Sequence, residues 1–110
     1  GDSITKFDLS LNKKLDKKFI EAPDNPYIDG NDIWITSLDF QPNDVGDCQF
    51  KKNCSLPFSI YRLDKNDLEI KNEYSFSKTV FGLPTVAVPI EDEVFLGSFH
   101  SDRLGIIKIN

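Results

Sequence analysis

"EAPDNPYIDGNDIWITSL" spans residues 21–38 and carries the only tryptophan of the chain, Trp34. Asp24 and Asn25 stand side by side between Pro23 and Pro26. Next comes Asp29-Gly30-Asn31-Asp32, the chemistry of a tight hairpin turn, because Gly, Asn and Asp accept backbone conformations that other residues resist. The following "NDIWITSL" is rich in β-branched and aromatic residues, which pack well on a pleated surface. The stretch therefore predicts strand, turn, strand, with an acid and an amide in a proline-stiffened loop just before the hairpin. Such a pair can initiate a turn, cap an element or bind a metal, and the residues alone leave these open.

The same signals recur outward from this stretch. In "ITKFDLSL", Phe7, Leu9 and Leu11 alternate, which predicts a strand running up to the polar "NKK". "LNKKLDKKFIEA" has loose helical spacing, but its neighbours favour a strand. "PFSIYRLD" and "LEIKNEYSF" follow, the latter with Leu68, Ile70, Tyr74 and Phe76 at even spacing, the pattern of a half-buried strand. "PTVAVPI", the turn "EDE", "VFLGSF", the turn "HSDR" and "LGIIKIN" complete the chain. The sum is roughly nine short strands with tight polar turns, which points to an all-β sandwich, barrel or propeller. The one long connection, residues 41–57, contains both cysteines.

An internal repeat separates these architectures. "PDNPYIDGNDIWITSLDF" aligns with "LPTVAVPIEDEVFLGSFHS": a proline-bearing entry, a short apolar strand, an acidic turn and an aromatic strand. A third strand follows each. A four-stranded antiparallel unit recurring at about 60 residues is a propeller blade. On this reading residues 1–22 end one blade, 23–77 form a whole blade, and 78–110 supply three strands of the last.

Composition narrows the partners. The chain is 39% hydrophobic and 28% charged, which suits a folded domain. Its net charge of −5 argues against nucleic acid. No apolar run approaches the length of a membrane span. No signal peptide is visible, and Gly1-Asp2 reads as a processed or cloned start. Cys48 and Cys54 are too isolated for a zinc site. They read as a local disulfide in the long loop, with two free thiols as the alternative. A disulfide would imply a secreted or otherwise extracytoplasmic protein. Asn53-Cys54-Ser55 is also a glycosylation triplet.

"PDNPYIDGNDIWITSL", "FSIYRLD" and "LPTVAVPIEDEVFLGSFHSDRLGIIKI", in that order, resemble the C-terminal part of the paraoxonase/arylesterase family, related to gluconolactonase-like and strictosidine-synthase-like proteins. The resemblance covers nearly the whole chain but only about the last third of a family member. It implies a six-bladed β-propeller, of which this chain would be about two blades, and calcium bound near the central tunnel. Carried over by motif, Asp24 and Asn25 become calcium ligands. Pro26 departs from the family, which has an apolar branched residue there. Phe99 and His100, just past a strand, would line the mouth of the tunnel; a surface turn is the alternative for His100. No catalytic residue is assigned, because the resemblance places the rest of the machinery on earlier blades. Two functions follow. One is a calcium-dependent esterase or lactonase acting on a small ester or lactone, of which this is an inactive part. The other is a non-catalytic module that associates with the remaining blades or with copies of itself. A likeness by accident in an independent β-domain stays open as well.

Overall fold

The computed structural model describes residues 2–39, 56–77, 79–99, 101 and 103–109. Among them it is all-β, with nine strands and no helix. β1 (Ser3–Asp8) and β2 (Lys13–Phe19) form a hairpin; β3 (Pro23–Asp29), β4 (Asp32–Leu38), β5 (Phe58–Asp64) and β6 (Ile70–Phe76) form a four-stranded sheet; and β7 (Pro84–Ile90), β8 (Glu93–Ser98) and β9 (Gly105–Lys108) form a three-stranded one. Every pairing is antiparallel, and each sheet keeps its strands in chain order.

The four-stranded sheet is the middle layer, and β4 shows why. A strand covered on one face alternates apolar and polar residues; one covered on both faces does not. From Asp32 to Ser37, β4 is buried at every position. Ile33 and Ile35 pack with Leu63, Leu68 and Ile20, with Ile4 of the hairpin against them. Trp34 points the other way and joins Phe58 and Ile60 with Phe81, Ala87, Val94 and Leu96 of the three-stranded segment. β7 runs beside β3 and β4. No helix of the described residues is long and apolar enough to cross a membrane.

The repeat is written in the backbone. Pro23 pairs with Ser37, and Pro84 with Ser98; Tyr27 pairs with Trp34, and Val88 with Phe95; every partner is displaced by 61 positions. Ala22 and Leu83, one residue ahead of each proline, take φ of 38° and 48°. Gly30 and Glu91 open the two hairpin turns, both at φ 60°. Glycine adopts that conformation without the penalty a Cβ carries, so the first turn is the better suited of the two. The carbonyls of Asn31 and Asp92 accept the N–H groups of Lys65 and Ile109, at 2.8 and 3.0 Å. Ser37 donates its hydroxyl hydrogen to the carbonyl of Glu21, and Ser98 donates to that of Gly82 at 2.7 Å, the same 16-residue span. Ser37→Ala and Ser98→Ala are each expected to cost about 1 kcal/mol, the net worth of a buried hydrogen bond. Urea midpoints of the two variants should shift alike; a shift in only one would break the equivalence.

Two strand assignments differ from the sequence reading. β1 ends at Asp8, so Leu9 and Leu11 stand on the turn rather than in a strand. Asp8 causes this: its Oδ1 accepts the N–H groups of Ser10 and Leu11 and closes the turn there. The even spacing of Leu68, Ile70, Tyr74 and Phe76 also misleads. The ladder slips one residue between Arg62 and Leu63. Leu68 consequently packs on the hairpin side, Tyr74 and Phe76 pack on the opposite side, and Ile70 is exposed.

Candidate functional site

Asp24 and Asn25 lie in β3, not in the loop the sequence reading expects. The strand is interrupted at this point. Asp24 pairs with Thr36 and Tyr27 with Trp34, so Asn25 and Pro26 together oppose Ile35. That is a β-bulge, which bends the strand and re-aims its side chains. Each residue suits its place. Asn25 takes φ 35°, in a region that Asn tolerates better than most residues. Pro26 lacks an N–H, so it forfeits no ladder bond in a bulge. Thr36 fixes the near side by donating its Oγ1 hydrogen to the Asp24 carbonyl at 3.2 Å.

On a regular strand, adjacent side chains face opposite ways. Here both residues line one cleft of about 290 Å³ with Ser3, Ile4, Thr5, Pro23, Pro26 and Ile35. Its lining residues include an acid, an amide and two hydroxyl-bearing residues. These suit calcium, a hard cation that takes roughly six to eight oxygens. They fill part of such a shell. Among the described residues, no three or more His, Cys, Asp or Glu side chains gather in a way that could hold a metal ion.

The other expected site residues do not join this cleft or cannot be placed in it. Phe99 is exposed just past β8 and does not line it. His100, Cys48 and Cys54 lie outside the described residues. Among the hydroxyls, Ser59 donates to Asp39 Oδ2 at 2.6 Å and sits 2.9 Å from Ser75 Oγ. The one histidine of the chain, His100, lies outside the described residues, so no imidazole is placed beside Ser59. Tyr61 lies near; burial first, then the carboxylates of Glu73, Asp39 and Glu21, raise its pKa and keep the phenol protonated.

Sequence reasoning missed one polar cluster. Asp32 is buried and accepts from Arg62 Nε at 2.7 Å and from Lys71. The guanidinium also lies over the Trp34 ring, 5.5 Å from its centroid. Burial works to raise the Asp32 pKa, but the hydrogen bonds from Lys71 and Arg62 outweigh it and hold the pKa below the ordinary carboxylate value. An acid beginning the strand that carries the tryptophan was the available signal. Its partners lie 30 and 39 residues away and could not be read without the register.

No protein-family model matches the sequence, and no curated protein matches it either.

Proposed function

We propose that this chain is part of a calcium-dependent esterase or lactonase built as a six-bladed propeller, with Asp24 and Asn25 among its calcium ligands. The bulge carries this reading, because it brings an acid and an adjacent amide to one cleft. The blade architecture is supported by a four-stranded meander flanked on both faces and by a repeat of 61 positions between its paired strands and those of the next sheet. When bound, calcium would polarise an ester carbonyl and stabilise the developing oxyanion. Asp24 would supply the charge that dominates affinity, and Asn25 a neutral oxygen. Pro23 and Pro26 restrict the backbone between them and lower the entropy lost on ordering. Ile4 and Ile35 wall the cleft with apolar surface.

With only part of a coordination shell, the 110-residue chain should bind calcium weakly, at about millimolar or poorer dissociation constants, and hydrolyse no ester appreciably. An NMR calcium titration tests this. Amide shifts should concentrate on residues 24–26 and 35–36, disappear in Asp24→Ala, weaken less in Asn25→Ala, and not be reproduced by magnesium. Shifts unchanged in Asp24→Ala would reduce "PDNP" to a strand bulge without a metal role.

A second reading, a non-catalytic module that assembles with other blades or with copies of itself, draws on a different observation. Val88, Phe95 and Ile106 are cross-strand neighbours on the face of the three-stranded sheet that points away from the core. Ile106 is half-exposed. An apolar row on an open sheet invites association. This reading requires no calcium, so the same titration separates the two.

A further inference from the structure

The β1–β2 hairpin ends in Leu9, Ser10, Leu11 and Asn12. Turn chemistry asks for Gly, Asn, Asp or Ser, and gives leucine no role. Here the polar residues close the turn unaided. Asp8 Oδ1 accepts from Ser10 N and Leu11 N at 2.9 and 3.0 Å, and Asn12 takes φ 51°. Leu9 and Leu11 are nevertheless 87% and 69% exposed, the first more than any other large hydrophobic side chain described. Phe7 and Leu15, on the strands either side, are half-exposed as well. Lys13 and Lys14 follow directly, both exposed, and neither forms an ion pair among the described residues. Phe7 pairs across the ladder with Lys14, which sets ring and ammonium on one face. Residues 1–20 hold five lysines against three aspartates, in a chain whose net charge is −5.

We infer that this hairpin tip docks on an anionic lipid surface, with Leu9 and Leu11 entering the interface and Lys13 and Lys14 meeting headgroup phosphates. The shape selects lipid over a protein partner. Protein hot spots are aromatic or arginine anchors seated in pockets. Two aliphatic side chains on a convex tip, followed by Lys13 and Lys14 with Asp8 the one acid beside them, match a fluid apolar layer beneath a negative surface. The acidic turns at the same end do not prevent the approach. Lys6 Nζ donates to the carbonyls of Lys65 and Asn66, which ties the β5–β6 turn to the hairpin within a lysine side chain's reach of residue 6. The tip reaches about three residues further, roughly 10 Å along a strand. That is about one Debye length at physiological salt.

Co-sedimentation of the full 110-residue chain with vesicles tests the inference, in chelator so that calcium plays no part. Binding is expected to mixed phosphatidylcholine–phosphatidylserine vesicles, not to phosphatidylcholine alone, and to fade at high salt. Leu9→Ala with Leu11→Ala should lower partitioning by at least about tenfold, and by more the deeper the two side chains enter the interface. Lys13→Gln with Lys14→Gln should lower it about thirtyfold. All four positions are exposed, so Trp34 fluorescence should stay native in both variants. No binding to mixed vesicles overturns the proposal. So does binding that the leucine variant leaves unchanged, or equal leucine-independent retention on a soluble polyanion, which would assign the lysines to a free anion instead.

Discussion

Trp34→Ala is expected to lower the unfolding free energy by about 3–5 kcal/mol, the range for truncating a large buried aromatic side chain. Trp34 is 1% exposed and joins the middle sheet to the three-stranded one, packing in the cluster that holds Phe58, Ile60, Ala87, Val94 and Leu96. Its ring stacks on Tyr74 at 6.4 Å. Domains of this size are stable by only about 5–15 kcal/mol, so the variant should approach the limit of folding. Trp34→Phe should cost less, because it keeps an aromatic ring in the cluster and leaves a smaller cavity. The indole Nε1 is buried without a hydrogen-bond partner among the described residues, and phenylalanine removes that donor. Phe95 stands at the equivalent place, 61 positions on, facing Val88 as Trp34 faces Tyr27. Urea unfolding followed by far-UV circular dichroism measures both, since fluorescence would lose its probe. An alanine variant within about 1 kcal/mol of the parent would mean that the two sheets share no core.

Much of this architecture was legible in the chain. The β-branched and aromatic run of "NDIWITSL" and the Gly30 turn mark a hairpin without further help, and the second copy at "PTVAVPI…EDEVFLGS" marks the repeat. Two of the failures share one cause. A period of two is reliable only while the register holds, and a bulge shifts it by one without leaving a composition signal. That is why Ile70 appeared to share a face with Tyr74, and why the stretch holding Asp24 and Asn25 read as a loop rather than as a bulged strand. Leu9 and Leu11 kept the period of a strand beyond its end. The hydrogen bonds from Ser10 and Leu11 to Asp8 decided the boundary, and they are local side-chain chemistry that outweighs an apolar pattern. At the candidate site, sequence could single out Asp24 and Asn25; it could not supply Ser3 and Thr5, which line the same cleft only because the hairpin packs against the middle sheet.

Asp32→Asn is expected to cost about 2 kcal/mol near neutral pH, by removing the charge that two cations share. The loss should be smaller than for a fully buried pair, because the Arg62 and Lys71 side chains are 36% and 37% exposed. The pH dependence carries a sign. The folded-state pKa of Asp32 is lowered, so its contribution is complete above the unfolded carboxylate value of about 3.9 and is lost as pH falls through the lower folded value. The parent should therefore lose stability over an acid limb below about pH 4 that is shallower in Asp32→Asn. Denaturant unfolding across pH measures this, and parallel limbs in the two proteins would remove Asp32 from the account. The register explains why the cluster is needed. Asp32 and Asp64 are direct partners across β4 and β5, an unfavourable like-charge pair. Lys71, from β6, bridges both carboxylates, lying 3.8 Å from Asp64. At the equivalent place in the other sheet the partners are Glu93 and Lys108, already opposite in sign. That sheet has no fourth strand among the described residues to bring in a lysine, and its third strand carries the cation itself. Lys71→Ala should therefore destabilise the middle sheet through the two aspartates it leaves facing each other, and Asp64→Asn in the same chain should restore part of the loss.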